Sequence, residues 1–355
     1  MSYLSLKCLK SCQIQNGSVL ILVLIVLSSM TALSVGFVYR TLIEMKLAHA
    51  NAQRTQAYYL ALGGIERIKA ILNKQELSSS TIAQMCQFTG TAQNEGLFEQ
   101  LKEFKPPEGS LLTYCLRDEQ GYLNLNRSDP ASWINIGCVS EECCSAILDW
   151  IDEDDDAGPD GAETDFYDRL ENPYTSKNAP LVTLKELLYL KGITRDIYLG
   201  EDLNRNSMLD DNERDGLDQI PFDNEDNVLD LGFLDIFTTY GDGKINVNTA
   251  NREILSALPG LDEQAAESLL AHRAGPDRQY GTEDDGVFTS AEDLFSVEGL
   301  TELQIELLGQ YCCFESENFR VFSSAAMNSA IKCCLMATVR CNESQPQILY
   351  IERLL

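Results

Sequence analysis

The sequence predicts an α+β fold: a long amino-terminal helix, antiparallel strands, and a large helical block inserted between the strands. Three observations predict it. Residues 11–39 carry no charged side chain and lead into a helical pattern that continues, without a proline, to about Asn73. Three carboxy-terminal runs, Phe319 to Ala326, Ile331 to Arg340 and Gln347 to Leu354, read as strands, separated by Asn328-Ser329 and by Asn342-Glu343-Ser344. Between these ends, helical stretches alternate with acidic loops from Asp129 to about Asp226, and Asn251 to Gln310 is helical in pattern.

The amino-terminal element comes first. Val19 to Val38 is a nearly unbroken apolar run, long enough to span a bilayer core of roughly 30 Å as a helix. Lys7 and Lys10 precede it with no acid nearby, which keeps the start cytoplasmic and sends the bulk of the chain across. A signal peptide has the same hydropathy, but no small-x-small cleavage site follows the run. Beyond Arg40 the residues Ala57, Ala61, Ile65, Ile68 and Leu72 recur at helical spacing, giving a face that packs on a soluble domain. The Gly63-Gly64 pair weakens one turn and marks a possible bend.

The exported part follows. Leu77 to Gly109 is polar and contains Pro106-Pro107, so it reads as loop. Leu111 to Asn126 alternates like a strand pair about Asp118-Glu119-Gln120-Gly121, and Leu234 to Thr249 like another with a turn at Gly241-Asp242-Gly243. The expected boundaries are 1–17 for a leader, 18–38 for the membrane segment and 39–126 for the helix and first strands. They continue with 127–233 for the helical insertion, 234–318 for strands and helical hairpins, and 319–355 for the last strands.

Composition narrows the function. With 55 acidic and 27 basic residues the net charge is −28, and no basic cluster offsets it. That charge repels phosphate backbones and anionic headgroups and suits loops that hold a hard cation. Only His49 and His272 are available for imidazole chemistry, and there is no nucleophile motif, H-E-x-x-H or phosphate-cradling glycine loop, so the chain reads as non-enzymatic. Of the 12 cysteines, Cys8 and Cys12 precede the apolar run and ten follow it, which suggests disulfides in an oxidising periplasm. The vicinal pairs Cys143–Cys144, Cys312–Cys313 and Cys333–Cys334 would each reach different partners, because a bridge between neighbours strains the peptide. Zinc is the competing reading, unsupported by any C-x-x-C pair or Cys/His mixture.

A short basic leader ending in Gly17, followed by Ser18 and this helix, resembles the type IV pilin and pseudopilin family. LRDEQGYLNLN (Leu116 to Asn126), AILDWIDEDDDAGPDGAETDFY (Ala146 to Tyr167) and PLVTLKELLYLKG (Pro180 to Gly192) resemble its K-type minor pseudopilins of type II secretion systems. So do INVNTANREILSALPGLDEQAAESLLAHR (Ile245 to Arg273) and FTSAEDLFSVEG (Phe288 to Gly299). The resemblance implies a pilin-like helix and sheet with a helix-hairpin-helix or SAM-like insertion. It implies cleavage between Gly17 and Ser18 by a prepilin peptidase on the cytoplasmic side. Mature pilins usually carry glutamate five residues after the cut, paired with the terminal amine of the subunit ahead; here that position is Leu22. A carboxylate in lipid is costly without a partner, so its absence suits a subunit with no neighbour in front. The family therefore implies a place at the filament tip, in the inner membrane with the carboxy-terminal domain in the periplasm. Its implied partners are the I- and J-type minor pseudopilins, the major pseudopilin and the inner-membrane assembly platform.

Two acidic loops are candidate calcium sites. In Asp202 to Glu213 (DLNRNSMLDDNE), Asp202, Asn204, Asn206, Asp210 and Glu213 hold positions 1, 3, 5, 9 and 12 of an EF-hand-type loop. Met208 would offer its carbonyl from position 7, although Ser207 replaces the usual glycine. Calcium takes six to eight oxygens, and alternate residues on a tight turn point theirs inward. Asp152, Asp154, Asp156, Asp160 and Glu163 repeat the same five offsets, with Ala157 and Pro159 fitting the turn poorly. K-type pseudopilins carry calcium on their helical domain, and the resemblance implies the same here. A third run, Asp277 to Asp285, reads as a solvated turn.

Ile245 to Arg273 and Phe288 to Leu308 each resemble a helix-hairpin-helix unit, which raises a membrane-anchored DNA-uptake receptor as the rival. Their turns, Pro259-Gly260-Leu261-Asp262-Glu263 and Glu298-Gly299-Leu300-Thr301-Glu302, place acids where phosphate should sit, so nucleic acid is not an expected partner. A calcium-stabilised pilin-like tip adhesin is the remaining alternative.

Overall fold

The computed structural model describes residues 17–73, 86, 89–91, 107–137, 139–202, 216, 227–278, 284–327, 331–341 and 345–354. The chain divides into two compact units, Met1–Thr55 and Gln56–Leu355.

Helix α1 spans Gly17–Leu72 and passes unbroken through Gly63-Gly64. In the first unit its apolar side chains from Val19 to Val38 are exposed, as lipid-facing residues would be. Ser28, Ser29 and Thr31 donate their hydroxyls to carbonyls three residues back, which pairs these three groups within the helix itself.

In the second unit a five-stranded antiparallel sheet has the order β1-β2-β7-β8-β9: Thr89–Thr91, Ser110–Asp118, Asn318–Met327, Ile331–Arg340 and Gln347–Arg353. Between β2 and β7 come two short parallel pairs, β3 (Leu123–Asn124) with β4 (Phe237–Thr238) and β5 (Ile245–Asn246) with β6 (Cys312–Cys313). The expected local hairpins at 111–126 and 234–249 therefore do not form. β2 pairs with β7 some two hundred residues on, because its alternating faces need two covers that no neighbouring segment supplies.

Those covers are distinct. One sheet face, with Leu112, Tyr114 and Leu116 of β2, Val321 of β7, and Leu335 and Ala337 of β8, packs on Ala57, Ala61, Ile65 and Ile68 of α1. Gly64 is a contact point rather than a bend. A Cβ there would run into the buried Ser323 Oγ, whereas one at Gly63 would meet nothing within 4 Å. The other face, with Cys115, Phe322, Cys334 and Met336, packs on the helical block through residues such as Trp133, Ile147, Tyr167, Leu187 and Phe233. Full burial of one such side chain is worth about 1.5–3 kcal/mol.

Among the described cysteines, Cys86, Cys143, Cys144, Cys312, Cys313, Cys333 and Cys341 carry free thiols. Cys333 and Cys334 show why neighbours do not share a partner: they point to opposite sheet faces and join different apolar clusters. Burial pushes the Cys312 and Cys313 thiols up to about 12, so these side chains act as small apolar groups.

The block is held by short capped helices: α2 (Pro130–Ile134), α3 (Glu141–Ile151), α4 (Thr164–Tyr167), α5 (Arg195–Leu199), α6 (Arg252–Ala257), α7 (Glu263–Arg273) and α8 (Glu302–Tyr311). The last two open the second arms of two hairpins. Asp262 caps α7 by accepting from Ala265 N at 2.8 Å, and Thr301 caps α8 by accepting from Gln304 N at 3.3 Å. Each turn needs a glycine in the left-handed region, Gly260 at φ 80° and Gly299 at φ 95°. The two glycines pack reciprocally. A side chain at Gly260 would run into Leu307 of α8, and one at Gly299 would meet Ser268 Oγ of α7 at 3.0 Å.

Candidate functional site

The acidic segment after α3 builds the sharpest cluster. Ser140 starts this helix by accepting from Cys143 N at 3.2 Å, and Glu141 and Glu142 favour the positive end of its dipole. The apolar positions Ile147 and Trp150 bury one side, which brings Asp149 on the last turn inward to 5% exposure. Gly158 N donates to both Asp149 oxygens, at 3.2 and 3.1 Å. Gly161 has to be glycine, because a Cβ there would strike Asp149 Oδ2.

Asp149, Asp152 and Glu163 bring one carboxylate oxygen each to within 4.8 Å of one another. Asp152 is exposed, whereas Glu163 is 2% exposed and both its oxygens are buried without a hydrogen-bond partner in the structure. Burial, and then the neighbouring acids, push the Glu163 and Asp152 carboxyls above their ordinary range. A buried carboxylate with orphaned oxygens beside two more acids is costly unless a cation joins it. Three hard oxygen donors at this spacing fit calcium chemistry.

Of the five ligands expected in this loop from EF-hand offsets, the structure brings together only Asp152 and Glu163. Asp154 instead accepts from Asp156 N at 2.9 Å. Asp156 itself is exposed, and Asp160 sits at φ 62° with its carbonyl accepting from Lys191 Nζ at 3.0 Å. The third member of the cluster, Asp149, lies upstream of the loop. Asp155, which the offsets skip, accepts from Asn178 Nδ2 at 3.1 Å and Thr164 Oγ1 at 3.0 Å, and these bonds hold its carboxyl below the usual range. In the second candidate loop only Asp202 is described, and it is buried. Asn204, Asn206, Met208, Asp210 and Glu213 lie outside the described residues, as do residues 279–283 of the third acidic run.

The hairpin turns present no cation among the described residues. Arg252 pairs with Glu267 at 2.9 Å, and Arg273 is buried, donating to the Ala250 carbonyl at 2.5 Å. At the other end of the chain Leu22 lies within α1 and is 63% exposed. Gly17 and Ser18 form its first residues.

The family model described as "Type II secretion system (T2SS), protein K" matches residues 135–200, which hold the acid cluster, and residues 245–309, which hold both hairpins. Over both of these stretches the chain is similar to the protein K family of type II secretion systems. Among protein K relatives, a putative type II secretion system protein K of Escherichia coli K12 is 29% identical over 206 residues, 52% of this chain and 60% of that relative. The match therefore spans less than two thirds of its length. Type II secretion system protein K of Pseudomonas aeruginosa is 25% identical over 279 residues, 73% of this chain and 72% of the relative. A crystal structure of the GspK-GspI-GspJ complex from enterotoxigenic Escherichia coli contains a chain similar at TM-score 0.49 and 15% identity, covering 88% of this chain and 99% of that one.

Proposed function

We propose that this chain is the minor pseudopilin at the tip of a type II secretion pseudopilus, where it starts filament assembly for protein secretion. One observation carries the placement: Leu22 stands five residues after the Gly17–Ser18 junction, in an apolar helix with no charge from residue 11 to residue 39. A subunit without the carboxylate makes no demand for an amine in front of it, so it can lead but not follow. Prepilin peptidase would cut between Gly17 and Ser18. The apolar half of α1 would hold the subunit in the inner membrane, with the sheet and helical block in the periplasm. The I- and J-type minor pseudopilins would join it before the major pseudopilin is added by the assembly platform. The part played is structural, not enzymatic.

Two measurements test this. Mass spectrometry of the native protein should find an amino terminus at Ser18; a terminus beyond Val38 would sink the reading. Leu22→Glu should leave processing intact and lower secretion, and unchanged secretion would count against the role of that position.

The same reading assigns calcium to the acid cluster. Asp149, Asp152 and Glu163 would hold the ion, and its charge would tie the end of α3 to the start of α4. The orphaned Glu163 oxygens support this.

A further inference from the structure

A cleft of about 630 Å³ opens beside the start of β7, a volume within the range of ligand sites. The Gln120 side chain ties its parts together. Gln120 Oε1 accepts from Glu317 N at 3.1 Å, and its Nε2 donates to Cys313 Sγ at 3.5 Å. One side carries Arg127 and the Gly241-Asp242-Gly243 turn, and Arg340 enters from the end of β8. Both turn glycines are left-handed, at φ 91° and 94°, and their bare backbone presses on its neighbours. A Cβ at Gly243 would meet Arg127 Cβ at 2.9 Å, and one at Gly241 would meet Gln120 Cγ at 3.2 Å.

The two arginines are the anomaly. With 55 acidic and 27 basic residues in the chain, an unpaired acid is ordinary and an unpaired arginine is not. Arg40, Arg169, Arg252 and Arg320 each meet a carboxylate. Arg127 makes no side-chain hydrogen bond or ion pair among the described residues, and it is exposed. Arg340, also exposed, donates only its Nε, to Asn318 Oδ1 at 3.0 Å, and pairs with no acid among the described residues. The turn packs the Arg127 stem and Asn318 anchors Arg340. Two guanidinium heads are thus oriented before any partner arrives.

We infer that this cleft docks a segment of another protein subunit, which seats an aspartate or glutamate carboxylate on Arg127 and Arg340. A guanidinium fork matches the two oxygens of a carboxylate. The exposed acids Asp242, Glu315 and Glu317 line the same cleft. With the net charge of −28, they repel phosphate dianions, nucleic acid and a second copy of the chain, while a single carboxylate aimed at the arginines is admitted. Small molecules favour mostly apolar pockets, whereas these walls are polar, so the occupant brings its own surface. The inference does not depend on the tip assignment, because none of these residues enters that argument.

The test places the photoreactive residue benzoylphenylalanine at Glu317 of the full-length chain in its native membranes. It should give a discrete protein adduct whose cross-linked peptide carries an aspartate or glutamate. Arg127→Gln with Arg340→Gln should lower that adduct by about tenfold with the melting temperature unchanged. Arg127→Gln alone breaks no hydrogen bond and should still lower it severalfold, which keeps the test decisive if the double variant is destabilised. Arg127→Lys with Arg340→Lys should lower it less, because lysine keeps the charge without the fork. Changing the partner's acid to arginine should restore the adduct of the Arg127→Glu, Arg340→Glu chain. An adduct indifferent to the arginines would overturn the inference. So would no adduct, a charge exchange that restores nothing, a partner peptide without an acid, or an adduct to lipid, glycan, nucleic acid or a second copy of the chain.

Discussion

Arg320 grips Glu119 with two nitrogens, Nη2 to Oε2 at 2.6 Å and Nε to Oε1 at 3.0 Å, although the two residues lie 201 positions apart and each side chain is 1% exposed. The pair joins the sheet to the helical block. Arg320 also donates to the Leu234 and Phe237 carbonyls at 2.6 and 3.0 Å, and Glu119 accepts from Thr238 and Thr338. Burial alone would lower the Arg320 guanidinium's hold on its proton; the Glu119 carboxylate outweighs burial and raises it. Removing one partner strands a buried charge. Arg320→Met or Glu119→Gln should each cost about 3–5 kcal/mol, and the double variant less than their sum. Denaturant melts of the full chain in detergent would measure all three.

Much of the frame is legible in sequence, because α1 and strands β7 to β9 announce themselves by local period. The Arg320–Glu119 pair does not, since nothing near either residue names the other. Gly64 reads locally as a helix weakness; its role is set by Ser323, which lies on a strand far along the chain. The acid cluster is half legible. Asp152 and Glu163 follow the calcium-loop offsets, but the loop departs from that geometry and Asp149 enters from the preceding helix. Its three-residue spacing from Asp152, with glycines at 158 and 161, is the signal that could have found it.

The glycine pair makes opposite predictions for neighbouring residues. Gly63→Ala adds a methyl into open space and should stabilise by about 0.5–1 kcal/mol through helix propensity. Gly64→Ala drives the same methyl into Ser323 Oγ and should cost about 1–3 kcal/mol. Ser323→Ala should recover part of that loss. Thermal melts of the two glycine variants and of the Gly64→Ala/Ser323→Ala double variant decide it, and equal effects at 63 and 64 would refute the contact.

Calcium should raise the melting temperature, and chelator should lower it. Glu163→Gln and Asp149→Asn should each remove the response, whereas Asp154→Asn should keep it, because Asp154 only caps a turn. The Asp154 variant separates the observed cluster from a regular calcium loop. Terbium luminescence sensitised by Trp150, the residue after Asp149, provides an independent readout.

The response should fade in acid. Without a cation, Asp152 and Glu163 have folded-state values raised above their unfolded ones, so the cation-free fold gains stability as pH falls through the raised values. Protons then compete for the oxygens that calcium would use. The calcium-induced shift should be largest near neutral pH and shrink as the solution is acidified through the carboxylate range, which calorimetry across that range would measure.

Strand β8 sorts its side chains strictly by parity, with Cys333 turned to one layer and Cys334 to the other. Inserting or deleting a single residue in the segment leading into it would exchange the two interiors, setting thiols, hydroxyls and methyls against the wrong neighbours all along the strand. Changes of length in that connection should therefore be tolerated in steps of two far better than in steps of one, a rule that gene-library selections at residues 328–330 would expose directly.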